Sequence, residues 1–237
     1  MKRYNYTVLA ILVFIISGCA NYVVNDSLKQ RLHGKKVSAT LIKPDTHVIT
    51  IDGNNTREIA SQSAKASSLF ESAIKREFQN IVYINGVSSN YCPLITTDEG
   101  VDSNSCSLLI KSLREAYDKA TRYPKYTKSK KLNGLKVYGG MPASGDISLY
   151  FFAVEPTRSA GEATKDFMVS LIIGALTGFA PTRSYSDKVV LMVIDNSTSE
   201  VLWLDTVAGG DIDLDEQKDV DDAIKKLAKN FKEYISK

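Results

Sequence analysis

The sequence predicts an α/β (α+β) fold in which a single mixed sheet is packed by helices, and three observations carry that expectation. Val189 to Ile194 is an unbroken apolar run, the pattern of a strand covered on both faces. The stretches from Arg57 to Gln79 and from Asp215 to Tyr234 hold apolar residues at helical spacing. Helices alternate with hairpins along the chain, and no internal repeat interrupts the pattern.

Taken in order, Lys36 to Ile42 and His47 to Asp52 read as strands broken at Pro44-Asp45. Gly53-Asn54-Asn55 supplies a turn, and Thr56 offers a cap for the helix over Arg57–Gln79. Ile59, Ala66, Phe70, Ala73, Ile74 and Phe78 share one face of that helix, and Ile81 to Ile84 follows as a short strand. Ser107 to Tyr123 is a second helix, with Leu109, Leu113, Ala116, Tyr117 and Ala120 on one side and Pro124 stopping it. After a basic connector from Lys125 to Lys136, Asp146 to Val154 reads as an interior strand. Lys188 to Asp195 and Glu200 to Ala208 then form strands around the turn Asn196-Ser197-Thr198-Ser199. Gly209-Gly210-Asp211 ends the second, which carries Trp203. The last helix turns Val220, Ile224, Leu227, Ala228 and Phe231 inward.

The N-terminus carries a different signal. Lys2 and Arg3 precede the uncharged run Val8 to Ile16, which leads into Ser17-Gly18-Cys19. A basic start, a short apolar run and small residues before a cleavage point describe a secretory signal. The run is too short to span a hydrocarbon core, which takes about 20 apolar residues. Ile16-Ser17-Gly18-Cys19 resembles the lipobox of bacterial lipoproteins, which implies that the mature chain starts at Cys19 with palmitate-type acyl chains on its sulfur and amino group. Two or three such chains anchor a protein stably where one does not. Ala20, in place of Asp, resembles the sorting pattern for the outer membrane, facing the periplasm. An ordinary cleaved signal with a chance cysteine is the alternative. The implied organisation is a signal peptide over 1–18, a lipidated cysteine and tether over 19–34, and an α/β domain over 35–237.

Composition narrows the function. Loss of Lys2 and Arg3 leaves 28 basic against 27 acidic residues, so the field that nucleic acid would require is absent. The length suits one domain with a sizeable core. Cys92 and Cys106 enclose a polar, turn-rich segment, and in an oxidising compartment they are expected to form a disulfide. A metal or redox pair is the rival, with no CxxC spacing or nearby His behind it. Neither His33 nor His47 sits in a metal-ligand spacing, and no GxSxG, HExxH or P-loop occurs. Neither cofactor nor metal is expected. Asp205, Asp211, Asp213, Asp215 and Glu216 read as a cap for the last helix in preference to a cation site. Lys125, Tyr126, Lys128, Lys130 and Lys131 read as a solvated loop or, alternatively, as a patch for glycan or anionic lipid. Phe167 to Ala180 is apolar on all sides, with Gly174 and Gly178 in GxxxG spacing. It reads as a buried segment, as a self-association surface using Phe167, Leu171, Gly174, Gly178 and Phe179, or as a membrane-inserted piece of an oligomer.

Three stretches resemble a family of bacterial outer-membrane lipoproteins. They are Lys43-Pro44-Asp45-Thr46-His47-Val48 before a long helix, Gly145-Asp146-Ile147-Ser148-Leu149-Tyr150-Phe151 leading to Ser159-Ala160-Gly161, and Asp195-Asn196-Ser197-Thr198-Ser199-Glu200-Val201-Leu202-Trp203 before Gly209-Gly210-Asp211. The last is similar to a strand, Asp, "TGEVLW" turn, strand, Gly-Asp, helix pattern, with Ser199 where Gly usually stands. The hairpin and helix are also similar to the periplasmic domains of the curli-secretion lipoprotein and of lipoproteins that assist polysaccharide export. The resemblance implies a non-catalytic accessory or ring-forming factor whose partners are the membrane, its own copies or other envelope proteins. A regulator that binds peptidoglycan or polysaccharide is the second reading, and an enzyme the third.

Overall fold

Val189, Leu191 and Val193 point into one apolar cluster while Met192 and Ile194 point into another, which is why no polar residue interrupts this strand. The computed structural model describes residues 22–32, 37–52, 55–88, 92, 104–122, 129–139, 144–158, 187–209 and 212–236. Among them are eight strands in one mixed sheet. The centre is antiparallel, with β6 (Ile147–Arg158) beside β7 (Asp187–Asp195) and β7 beside β8 (Val201–Gly209). β1 (Val23–Val24) adds to the outer side of β8.

The other side of β6 is shared. β2 (Ser38–Ile42) and β3 (Asp45–Asp52) lie along it one after the other, both parallel to it. Leu41 stands beside Leu149 and Asp45 beside Phe152, so the β2–β3 side holds one extra residue at the break. Pro44 has no N–H to give a ladder, and a bulge is where a strand tolerates it. β5 (Tyr83–Ser88) runs parallel outside β2, and β4 (Asn55–Glu58) antiparallel outside β3.

Four helices among the described residues cover the sheet: α1 (Ser27–Leu32), α2 (Ala60–Phe78), α3 (Asn104–Arg122) and α4 (Gln217–Ile235). On one face α1, α2 and α4 bury Leu28, Phe70, Ile74, Phe78, Ile224 and Phe231 against the sheet. On the other, Leu109, Leu113, Ala116 and Ala120 of α3 pack with Leu132, Leu135 and Val137 against Tyr150, Met192 and Ile194. The helix faces expected from the spacing are the faces buried. None of these helices is long and apolar enough to cross a membrane.

The structure departs from the expected elements at four places. Residues 55–58, expected as the end of a turn at Asn55, a cap at Thr56 and the start of a helix at Arg57, pair back on β3, with Thr56 opposite Ile51 rather than capping. The helix starts at Ala60 because the Ile59 N–H is taken by the Val48 carbonyl at 2.8 Å. The short strand expected over 81–84 lies at 83–88. Residues 22–32, expected to be a tether, are part of the fold: Val23, Val24, Leu28 and Leu32 are all buried, the last two one helical turn apart. The basic connector is also built in from residue 129 onward, since Lys130 accepts from the Val24 N–H and Leu132 donates to the Val24 carbonyl.

Candidate functional site

The junction between the cysteine motif and the folded body is the first candidate. Tyr22 stacks on Trp203 with ring centroids 4.2 Å apart and meets Tyr234 edge-on at 5.7 Å. β1 is hydrogen-bonded on both sides, to β8 and to residues 130–132. Asp26 then fastens the turn after β1: it accepts from Lys131 Nζ at 3.0 Å and from Asn133 Nδ2 at 2.9 Å. These two partners hold its carboxyl below the usual carboxylate range. Lys29 Nζ lies 4.8 Å above the Tyr234 ring. Next to Trp203 on β8, Asp205 is fully buried, and burial pushes its carboxyl up. The bond from Asn230 Nδ2, 2.8 Å, and the Thr206 N–H oppose that shift.

A second cluster lies on the α3 side of the sheet. His47 holds Asp45 Oδ1 through Nε2 at 2.6 Å and Glu58 Oε1 through Nδ1 at 3.0 Å. Tyr150 donates to the other Asp45 oxygen at 3.1 Å. Burial lowers the imidazole's proton affinity, but the bond to Asp45 and the charges of Asp45 and Glu58 outweigh it, so His47 titrates above its ordinary value. Burial likewise lowers Arg114, which is within electrostatic reach of Tyr150 and Asp45. The arrangement fastens β3 to β4 and β6. Sequence reading passed over it, although Asp45 and His47 alternate on one strand and so share a face.

The two motifs Gly145-Asp146 and Asp195-Asn196, far apart in sequence, meet at one end of the sheet. Asp146 accepts from the Ser38 N–H at 2.9 Å and from its hydroxyl at 2.8 Å. Asn196 donates to the Gly145 carbonyl at 2.7 Å and accepts from Ser148 at 2.7 Å. A Cβ on Gly145 would lie 2.9 Å from the Ser38 carbonyl oxygen, so this close approach of β2 to β6 requires glycine.

The remaining residues singled out from sequence are dispersed. Cys19, Lys125, Tyr126, Lys128 and the segment with Phe167, Leu171, Gly174, Gly178 and Phe179 lie outside the described residues. Lys131 is paired with Asp26, and Lys130 lies beside it with a φ of 53°. Cys92 packs against the α3-side core, while Cys106 is in the first turn of α3 and its side chain lies outside the described set. Of the acidic run, Asp213, Asp215 and Glu216 bring carboxylates within 4.8 Å of one another. They order the turn before α4 instead of capping it: Asp213 accepts from the Asp215 N–H at 3.1 Å, and Glu216, the N-cap residue, makes no side-chain cap bond.

No protein-family model matches the sequence, and no curated protein does. Among solved structures the chain is similar to the PelC dodecamer from Paraburkholderia phytofirmans. The identity is 10% and the TM-score 0.32, covering 81% of this chain and 85% of that one. A point variant of the same dodecamer in another crystal form gives 9% and 0.32, over 82% and 86%. At this depth the likeness carries no functional argument.

Proposed function

We propose that the chain is a lipid-anchored periplasmic interaction and assembly module of the bacterial cell envelope that acts without catalysis. The observation that carries this reading is the distance in sequence between anchor and body. Cys19, at the end of the lipobox-like Ile16-Ser17-Gly18-Cys19, stands three positions before Tyr22, the first described residue and already packed into the fold. Cleavage before Cys19 would leave a folded domain with its lipid at its first residue. The absence of Asp at position 20 supports the outer membrane as its destination. His47, with both ring nitrogens committed to carboxylates, supports a role without general-base chemistry. The glycan-binding reading draws less support, because Lys131 is committed to Asp26.

Self-association through Phe167 to Ala180 completes the proposal, since an all-round apolar run with GxxxG spacing favours close contact between backbones. Cys19→Ser should abolish acylation, seen as loss of the lipid mass on the N-terminal peptide and release from the membrane fraction. A variant that stays acylated and membrane-bound overturns the anchor. Light scattering of the delipidated protein should give an oligomer; a monomer at all concentrations overturns the assembly role. The same reading places Cys92 and Cys106 in a disulfide worth roughly 3 kcal/mol for a loop of about 15 residues. Alkylation of exported protein without reductant should add no mass to either cysteine, and two modified thiols would refute the pairing.

A further inference from the structure

Three residues of fully extended chain reach at most about 11 Å, so a lipid on Cys19 cannot stand far from Tyr22. Tyr22 is itself immobilised by the Trp203 and Tyr234 rings, and β1 by hydrogen bonds on both sides. We infer that the rim around Tyr22, formed by Tyr234, Lys29, Lys131 and Lys226, is a membrane-contact surface for anionic phospholipid headgroups. The inference rests on the lipid-anchor reading and adds to it a fixed orientation of the domain on the bilayer.

The chemistry of the rim suits that occupant. Lys226, Asn230 and Tyr234 recur every fourth residue and so form one stripe of α4; Asn230 and Lys226 both act on Asp205 of β8, and Tyr234 touches Tyr22. Lys29 sits over the Tyr234 ring, and Lys131 is 55% exposed at the turn beside β1. Tyrosines with a polar tip and an apolar body, flanked by lysines, match the headgroup layer. Of the nearby carboxylates, Asp205 is fully buried under Asn230 and Asp26 neutralises Lys131, so the net positive charge of the rim rests on Lys29 and Lys226.

The test uses the full lipidated protein in vesicles containing phosphatidylglycerol with a photoactivatable headgroup, followed by peptide mapping of the adducts. Adducts should concentrate in residues 22–31, 129–133 and 226–236. Lys65 serves as the distant reference: it pairs with Asp215 at 3.9 Å, just before α4, and the length of that helix, about 28 Å at 1.5 Å per residue, separates it from Tyr234. Lys29→Gln and Lys226→Gln should each reduce the rim adducts, roughly fivefold for a lysine close to an anionic surface. Equal labelling at Lys65, or rim adducts unchanged in both variants, overturns the surface. Flotation separates the two ideas: protein that floats with the vesicles yet labels evenly keeps the anchor and loses the surface. Protein that does not float loses both.

Discussion

Two hairpins of the same sheet are closed by opposite means. β7 and β8 are long, their interiors are almost entirely apolar, and one carboxylate organises their turn. Asp195 Oδ1 accepts from the Ser197 N–H at 2.9 Å, the Thr198 N–H at 2.7 Å and both hydroxyls, while Oδ2 pairs with Arg31 of α1. β3 and β4 share a short ladder whose closure depends on His47 lying between Asp45 and Glu58. The first hairpin is held by burial and a carboxylate that collects four donors, the second by an imidazole set between two carboxylates.

The largest effect should come from emptying the apolar hairpin. Trp203 is fully buried, stacked on Tyr22, edge-on to Phe231 at 5.4 Å and tilted against Tyr234 at 5.3 Å. Trp203→Ala should destabilise the domain by about 3–5 kcal/mol, read as a fall in the urea midpoint. Because Tyr22 loses its stacking partner, protection of the β1 amides from hydrogen exchange should fall furthest. An unchanged midpoint would mean that this ring cluster does not stabilise the sheet.

These hairpins also mark the limit of what the sequence discloses. The strands flanking Asn196 to Ser199 were legible because Val189 to Ile194 cannot be solvated and Asp195-Asn196-Ser197-Thr198 is dense in side chains that bond their own backbone. β4 was illegible because Asn55, Thr56, Arg57 and Glu58 carry no apolar alternation, and the helical spacing that begins at Ile59 drew them into its pattern. What makes them a strand is tertiary: β3 offers them a free edge, and His47 attracts Glu58. β1 and α1 were missed for a related reason, since Val23, Val24, Leu28 and Leu32 are too few to set a period by themselves. The ring of Tyr22 finds its partners near the other end of the chain, at Trp203 and Tyr234. The lipobox resemblance needs no three-dimensional partner, because such a signal is read as linear sequence.

An intermediate effect should separate the hairpins by pH. His47 titrates above its ordinary value of about 6.5, so the stability its charge contributes is complete below that value and is lost as pH rises through the folded-state value. Asp195 has the opposite sign. Burial raises its carboxyl, but bonds from Ser197 and Thr198 and the Arg31 charge outweigh that and hold it low. Its contribution is therefore complete above about 3.9 and lost as pH falls through the depressed value. His47→Gln keeps one donor for the carboxylates and removes the charge, and should cost about 1.5–3 kcal/mol at pH 6. Urea midpoints across the pH range should show the alkaline loss flattened in this variant and the acid loss retained. An alkaline limb as steep as that of the parent protein would assign it to another group.

The smallest effect tests the turn of the apolar hairpin. Ser199 has a φ of 59°, in the left-handed region where a Cβ is crowded, and it stands where the resembling pattern carries glycine. Its N–H still closes the turn on the Asp195 carbonyl at 2.8 Å, and its own carbonyl accepts from Val137 at 2.8 Å, so the backbone is fixed from two directions and cannot relax. Glycine would relieve the strain but would also free the unfolded chain, and the two terms oppose each other. Ser199→Gly should therefore raise stability by only about 0.5 kcal/mol. Ser199→Val, β-branched and at odds with positive φ, should lower it by about 1–2 kcal/mol. The ordering Gly above Ser above Val in urea midpoints is the expected outcome. Equal midpoints for Gly and Val would show that the turn can abandon its left-handed residue, and that Asp195 alone, through its bonds to Ser197 and Thr198, closes the hairpin.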